Sequence, residues 1–286
     1  MKSSCECLAC LSRNAVNIAS RLFADKVLRR QHIQQAMQQL VDCDLSKTPV
    51  HYLLGMMDLM CQENADAYYK EKIQSSQLAE KLLEELKKQA IFDPESFESR
   101  LRLAIAGNIL DFGIFGNLDI DRALDTVRRA FTAQLDLQKI RRLQQRMESA
   151  RTIFYALDNC GEAVFDREFM RPYRHKTILG VRGKPVLNDV TATDLEISGL
   201  NDFAARVVDN GRRVAGTILE LAPPEFCDAF ASADLVIAKG QGNFETLDDT
   251  DQCTAFLFMA KCPVVTQLLQ VEPNSLQIVL KNFPAE

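Results

Sequence analysis

Six short, continuous apolar runs in the second half of the chain constrain its fold most strongly. Apolar runs that do not alternate with polar residues are typical of strands buried on both faces, and such strands form parallel sheets covered by helices. These runs are 152–157, 176–181, 214–218, 234–238, 254–259 and 276–280. Between them we predict a helix over 195–209, with Gly211 as a left-handed C-cap residue, and a helix that begins at Pro223-Pro224.

Residues 1–150 have a different composition, with only 4 of the 12 Gly and 2 of the 9 Pro. Spacings of three, four and seven residues between apolar side chains predict amphipathic helices there. One stripe consists of Leu78, Leu82, Leu83 and Leu86. A second, capped by Asp119 or Asp121, consists of Leu124, Val127, Phe131 and Leu135. We therefore predict an all-helical domain over 1–150, which covers the site of a three-layer α/β/α domain with a mainly parallel sheet over 151–286.

The overall composition excludes several classes of protein. The 34 Lys and Arg against 39 Asp and Glu give a net charge of -5, whereas nucleic-acid-binding proteins usually carry a basic surplus. The mean hydropathy is -0.12, and no uncharged apolar run reaches the 18 residues that a membrane helix needs. The first residues lack the apolar core of a signal peptide. With nine Cys, an odd number, we expect reduced thiols and a cytoplasmic protein.

Three of the predicted strands run directly into clusters of polar residues. The clusters are 158–162, 182–189 and 239–245. In open parallel sheets, ligands bind at the carboxyl ends of the strands. The three clusters are therefore expected to line one crevice.

The side chains of these clusters suit phosphate chemistry assisted by a metal. Asp158, Asn159 and Asp189 offer oxygen ligands of the kind that Mg²⁺ and Mn²⁺ prefer. A cation held in this way polarises a phosphoryl oxygen and orients a nucleophile. Lys239 is a compact charge that can neutralise a phosphate. The glycines of segment 240–242 let backbone N–H groups approach an anion closely.

Each feature also has a purely structural explanation. An Asp-Asn pair after a strand is often a turn or a helix cap. The segment KGQGN matches neither the Walker A motif nor GxGxxG. In the segment AIAGNILDFG, which also holds Asp111, Asn108 either points into the crevice or caps the break at Gly107. Cys7 and Cys10 have the spacing of half a zinc site, and structural zinc, a redox pair and buried thiols all remain open.

Taken together, five segments resemble one known family. They are CLAC, GNILDFG, DNCGE, RGKPVLNDVT and KGQGNFE, in this order between Cys7 and Glu245. The pattern is similar to that of the damage-control phosphatases, long known as domain of unknown function eighty-nine. It most resembles their stand-alone prokaryotic branch, which carries the N-terminal Cys pair. The RTxK motif of a branch that was proposed to methylate protein carboxyl groups is absent.

The resemblance implies a phosphatase that depends on a divalent metal (Mg²⁺, Mn²⁺, Co²⁺ or Ni²⁺) and hydrolyses sugar phosphates or damaged phospho-metabolites. The family's metal ligands correspond to Asp158, Asn159 and Asp189, and we expect Asp158, Asp189 and Lys239 to be catalytic, with Lys239 on the phosphate. The family's substrate-binding residues correspond to Glu162, Asn243 and Glu245. From the same clusters and from GNILDFG we add Asn108, Arg182, Asn188 and Gln241 as expected substrate-binding residues. Cys160 stands where Ala or Ser is commoner, which makes oxidation of the site possible.

Two questions remain open from the sequence. The nucleophile is either a metal-bound water or the carboxylate of Asp158. A methyltransferase that uses S-adenosylmethionine and a non-catalytic module that binds a phosphorylated ligand are the alternative functions. DNCGE is poor in glycine, which disfavours the methyltransferase.

Overall fold

The computed structural model describes residues 1–61, 66–110 and 120–284. Its helices are α1 (Cys5–Leu22), α2 (Lys26–Val41), α3 (Pro49–Met60), α4 (Tyr69–Lys88), α5 (Phe97–Ala106), α6 (Ile120–Thr132), α7 (Leu137–Ser149), α8 (Cys160–Met170), α9 (Pro224–Ala231), α10 (Gly240–Leu247) and α11 (Pro263–Leu269). Its strands are β1 (Ile153–Ala156), β2 (Thr177–Val181), β3 (Arg206–Asp209), β4 (Leu235–Lys239), β5 (Thr254–Ala260) and β6 (Ser275–Lys281). None of the helices in these ranges has both the length and the apolar character required to cross a bilayer.

The six strands form one sheet in the order β3-β2-β1-β4-β5-β6. The first five strands in this sheet are parallel, and β6 pairs antiparallel with β5. The chain moves outward from β1 to β3 and then returns to the other side of β1 with β4. The gap between β1 and β4 is therefore the topological switch point, where ligands bind in folds of this kind.

Alternate residues of the central strands face opposite layers of helices, as expected for a buried sheet. In β1, Ile153 and Tyr155 pack with α5, α7 and α8. Phe154 and Ala156 face the other way and pack with α9, α10 and α11. The predicted three-layer arrangement with a mainly parallel sheet is confirmed.

The N-terminal helices follow the predicted periodicity, except that α6 ends at Thr132 and Leu135 lies beyond it. Leu82, Leu83 and Leu86 are fully buried on α4, and Leu124 and Val127 are buried on α6. Asp119, one of the two predicted caps, lies outside the described residues. Because α5 and α7 supply part of one layer over the sheet, the regions before and after residue 150 share a hydrophobic core. The division into domains 1–150 and 151–286 stays a prediction.

Two elements were predicted wrongly, and both belong to one stretch of the chain. Residues 195–209 do not form a helix, because Gly199 and Asp202 have positive φ and residues 206–209 pair with β2 as strand β3. The run 214–218 is not a strand. Its apolar residues Val214 and Ile218 pack on Val50 of α3 instead. Gly211 does have positive φ, but it follows β3 instead of ending a helix. The helix predicted from Pro223-Pro224 is confirmed as α9.

Candidate active site

The polar clusters that follow β1, β2 and β4 meet at the switch point of the sheet. The side chain of Arg182, from the loop after β2, connects all three. Its Nε donates to Asp189 Oδ2 at 2.7 Å and its Nη2 to Asp158 Oδ1 at 3.3 Å. Its Nη1 donates to Asn243 Oδ1 at 3.3 Å. A single guanidinium therefore contacts all three clusters, and the crevice that they were expected to line stays a prediction.

Backbone hydrogen bonds fix the two carboxylates of this site. The N–H of Val190 donates to the carbonyl of Asp158 at 2.8 Å, and the N–H of Arg182 donates to the carbonyl of Val190 at 2.9 Å. Asn159 and Asp189 form an isolated antiparallel bridge. The loop 182–191 thus adds a short pairing beyond the ends of β1 and β2, which places Asp189 beside Asp158.

Asn159 is the N-cap residue of α8. Its Oδ1 accepts from the N–H of Glu162 at 2.9 Å, and its Nδ2 donates to Glu162 Oε2 at 3.0 Å. Because an amide oxygen has two lone pairs, this cap leaves Oδ1 able to accept a second partner. Asn159 can therefore cap α8 and offer an oxygen to a metal at the same time.

The donors present fit a hard divalent cation. Two carboxylates and an amide oxygen are the ligands that Mg²⁺ and Mn²⁺ prefer. The first residue after β4 is Gly240, with φ of +76°, and a Cβ at this position would lie 1.8 Å from Asp158 Oδ2. Only glycine therefore lets Asp158 take this position. Within the described ranges, no group of three or more His, Cys, Asp or Glu side chains is placed to hold a metal, so the fit to a cation rests on two carboxylates and the amide of Asn159.

A second cluster of charges lies beneath the first and is completely buried. The ammonium of Lys239 binds Asp166 Oδ1 at 2.7 Å, the carbonyl of Ala104 at 2.8 Å, and the carboxylate of Glu162. Tyr155 donates its hydroxyl to Asp166 Oδ1 at 2.8 Å. Burial raises the pKa of Asp166 to about 7.

This arrangement differs from the role that we expected for Lys239. An ammonium has three donors, and protein oxygens accept all three. The side chain is fully buried, so it has no donor for a phosphate in the crevice. Lys239 instead connects β4 with α5 and α8, and it holds Glu162, which in turn binds the amides of Asn108 and Asn159.

Asn243 is also committed to contacts inside the protein. Its Nδ2 donates to the carbonyl of Lys239 at 2.7 Å and to that of Leu157 at 3.2 Å, and its Oδ1 accepts from Thr217 Oγ1 at 2.9 Å. The neighbouring carbonyl of Gly216 accepts from Arg182 Nη1 at 2.8 Å. The segment 216–217, which we predicted as part of a strand, therefore supports the site. The Gly-Thr pair inside the apolar run 214–218 was the available signal.

Gln241 and Glu245 lie on α10 and bind each other, with Gln241 Nε2 donating to Glu245 Oε1 at 2.7 Å. Gln241 Oε1 accepts the backbone N–H groups of Lys261 and Cys262 at 3.2 and 3.1 Å. Burial raises the pKa of Glu245 to about 7. These contacts tie α10 to the turn after β5.

Asn108 and Asn188 are the remaining predicted substrate residues. Asn108 Nδ2 donates to Glu162 Oε2 at 3.1 Å and lies 3.4 Å from Asp158 Oδ2, so this side chain of the N-terminal half reaches the site. Asp111, in the same motif, lies outside the described residues. The Nδ2 of Asn188 is buried and has no hydrogen-bond partner among the described residues. An orphan buried donor is uncommon, and it marks a place where a bound group would be stabilised.

The N-terminal Cys pair lies on α1. Cys7 is buried and its Sγ accepts from the N–H of Ser4 at 3.4 Å, whereas Cys10 is exposed. In the part of the chain that the structure describes, no further ligands complete a zinc site around them. The thiol of Cys160 is buried, and burial raises its pKa well above the usual value. A thiol in this state is inert, so the structure does not favour the oxidation that we considered at this position.

Comparisons with known proteins agree with the fold and with the motifs. Residues 3–276 match the model of the damage-control phosphatase ARMT1-like domain. The chain is 31% identical to the damage-control phosphatase PH1575 of Pyrococcus horikoshii, over 99% of both chains. It is 27% identical to a damage-control phosphatase of Archaeoglobus fulgidus, over 93% of this chain and 95% of the relative. The crystal structure of the Pyrococcus protein, described as a DUF89 family protein, superposes with a TM-score of 0.82 and covers 96% of this chain and 98% of that one.

Proposed function

Because this chain belongs to the damage-control phosphatase family, we propose that it is a divalent-metal-dependent phosphatase of small phosphomonoesters, such as sugar phosphates or damaged phospho-metabolites. The observation that carries this proposal is the meeting of Asp158 and Asp189 on Arg182 at the switch point of the sheet. Asn159 lies next to both and completes a set of oxygen donors. The names of the relatives support the reaction class, and the donor set supports the metal dependence.

Asp158, Asn159 and Asp189 would hold the cation. When bound there, a divalent ion supplies a Lewis acid that polarises a phosphoryl oxygen. Arg182 binds both carboxylates, so it keeps them close together before the ion arrives. This preorganisation lowers the cost of arranging like charges around one ion.

The phosphate would bind beside α10. The first turn of this helix follows β4 directly, and helix N-termini favour anions because their backbone N–H groups and dipole point toward the ligand. The buried Nδ2 of Asn188 is a donor without a partner among the described residues. In this proposal, backbone groups of 240–242 and Asn188 replace Lys239 as the expected phosphate contacts.

Helices α1–α3 would form one wall of the substrate space. Their hydrophobic cluster includes Val186, from the loop that carries Asp189, and Ala215 packs against it. The N-terminal helices therefore touch two segments that support the site. Because these segments follow β2 and β3, the helices are well placed to select the leaving group.

Asp158 has two possible roles in the chemical step. Its side chain is about one-sixth exposed, at 16%, whereas Asp189 is at 6%. It either attacks the phosphorus atom and displaces the alcohol of the ester, which forms an acyl phosphate that water then hydrolyses to inorganic phosphate, or it orients a water that displaces the alcohol directly. Acid quenching during a single turnover, followed by mass spectrometry for phosphate on Asp158, distinguishes these routes, because only the first forms a phospho-enzyme.

Phosphate release from a panel of phosphomonoesters, with each divalent ion and after chelation, tests the proposal. We expect turnover that is lost on chelation and restored by Mn²⁺, Mg²⁺, Co²⁺ or Ni²⁺. Calorimetric titration with the same ions provides an independent measurement. Tight binding of phosphate esters without turnover would instead favour the non-catalytic module, and turnover that survives chelation would contradict the metal dependence.

A further inference from the structure

Helix α4 presents a buried polar stripe to the candidate active site. Lys72, Ser75 and Ser76 are fully buried at positions i, i+3 and i+4 of this helix. They continue the line of the buried leucines toward the N-terminal end of the helix. Buried polar groups are costly unless they are paired, so each of these contacts has structural importance.

The two serines contact the first turn of α8, next to Asn159. Ser76 Oγ donates to the carbonyl of Cys160 at 3.1 Å. A Cβ on Gly161 would lie 2.8 Å from the Cβ of Ser75, so the two helices approach as closely as a glycine permits. Helix α4 therefore supports the helix that Asn159 caps.

Lys72 contacts the segment that follows β2. Its ammonium binds Asp194 Oδ2 at 2.7 Å and Asp66 Oδ2 at 2.8 Å. The same oxygen of Asp194 accepts the backbone N–H of Thr191 at 2.9 Å and the hydroxyl of Thr191 at 2.6 Å. Lys72 and Asp194 are almost completely enclosed, so solvent screens this ion pair little.

A continuous path of bonds joins this ion pair to the proposed metal ligands. Thr191 pairs with Arg182 in an isolated parallel bridge. Val190, the next residue back along the chain, is bonded to both Asp158 and Arg182 through its backbone. Asp189 precedes it directly. Movement of Thr191 would therefore displace Asp189 relative to Asp158.

We propose that Lys72 is a positioning residue of the active site, which acts through Asp194 and Thr191 to hold Asp189 in place for the metal. This inference rests on the metal site proposed above. A buried ion pair is rarely more stabilising than apolar packing of the same volume, so its value lies in fixing one arrangement of the loop. Residues that orient metal ligands in this way typically affect metal affinity about 10–100-fold.

Two measurements on the full chain test the proposal in Lys72→Met, with the exposed Lys81 of the same helix as a control in Lys81→Met. The first is Mn²⁺ affinity by calorimetry, and the second is hydrogen exchange of the backbone amides in 188–194. We expect Lys72→Met to bind Mn²⁺ about 10–100-fold more weakly and to exchange faster in this segment. Lys81→Met should change neither.

A double-mutant cycle tests the route through Asp194. Asp194→Asn keeps an oxygen for Thr191 but ends the ion pair, and adding Lys72→Met to it should cause little further loss of Mn²⁺ affinity. If Lys72→Met does not fold, Asp194→Asn takes over both measurements. The proposal would be overturned by a folded Lys72→Met protein whose Mn²⁺ affinity and amide exchange in 188–194 equal those of the wild type. If Lys72→Met does not fold, the same result in a folded Asp194→Asn protein would overturn it. If the wild-type protein binds no divalent ion, the proposed function fails. Amide exchange in 188–194 still tests whether Lys72 holds this segment in place.

Discussion

The candidate site consists of two layers, and each contains two carboxylates around one cation. In the upper layer, Arg182 binds Asp158 and Asp189. In the lower layer, Lys239 binds Glu162 and Asp166. The side chains of the lower layer have no exposed surface, whereas 16% of the Asp158 side chain is exposed. The residue types are similar, but only the upper layer is open to a ligand.

The partial exposure of Asp158 gives the upper layer access to a ligand, which the lower layer lacks. The carboxylates of the lower layer are buried and paired with Lys239, so they position other groups. Asp158, which is partly exposed, can exchange a water for a metal or a substrate oxygen. The amides of Asn108 and Asn159 connect the layers through Glu162, so the lower layer determines the geometry of the upper one.

Asp158→Asn gives the largest expected effect and tests the upper layer. Removing the charge weakens any cation site and removes a possible nucleophile, so we expect kcat to fall on the order of 10⁴-fold or more. The variant should remain folded because the backbone bond to Val190 persists. Phosphate release with saturating Mn²⁺ measures the loss, with the exposed Asp251→Asn as a matched control. Substantial metal-dependent activity in Asp158→Asn would break the assignment of chemistry to this layer.

Lys239→Met tests the lower layer. It leaves Glu162 and Asp166 buried beside each other without their common cation, which we expect to lower the free energy of unfolding by about 3–5 kcal/mol. Urea denaturation monitored by circular dichroism measures this change, and Lys81→Met is again the control. A stable Lys239→Met protein with a raised KM and an unchanged unfolding midpoint would instead place Lys239 on the phosphate, as the sequence motif suggested.

The pH dependence of stability sharpens the same comparison. Burial raises the pKa of Asp166 to about 7, above the 3.8 of an exposed aspartate, so the folded state holds a proton that the unfolded state releases. Asp166 should therefore contribute a fall in stability of about 2 kcal/mol as the pH rises from 5 to 7.5, and Glu245, whose pKa burial also raises to about 7, should add to this fall. Urea midpoints across this range should give a flatter profile in Asp166→Asn. An unchanged profile in that variant would mean that Asp166 is already ionised.

Much of the upper layer could be predicted from the sequence, because its residues follow buried strands whose chain direction fixes where their ends meet. Asp158 and Asp189 are such residues. The lower layer could not be assigned in this way. Lys239 ends strand β4, but the direction of its side chain depends on Glu162 and Asp166 of α8.

The prediction was weakest between β2 and β4. Strand β3 is short and lies at the sheet edge, with Arg206, Val207 and Asp209 exposed, so it lacks the continuous apolar run that marked the other strands. The run 214–218 has that apolar pattern for another reason, since Val214 and Ile218 pack on a helix of the N-terminal half. Local pattern alone does not distinguish burial in a sheet from burial under a helix.

The smallest expected effect tests whether this misassigned segment belongs to the upper layer. Thr217 is buried, and its hydroxyl donates to the oxygen of Asn243 that Arg182 also contacts. Thr217→Val keeps the shape of the side chain and removes the donor, so we expect a loss of about 1 kcal/mol in the free energy of unfolding. Since Arg182 still binds both carboxylates, Mn²⁺ affinity should change much less than in Asp158→Asn. Thr217→Ser, which retains the hydroxyl, is the control. If Thr217→Val loses Mn²⁺ binding without losing stability, segment 216–217 positions Arg182 directly, and the upper layer extends to the loop after β3.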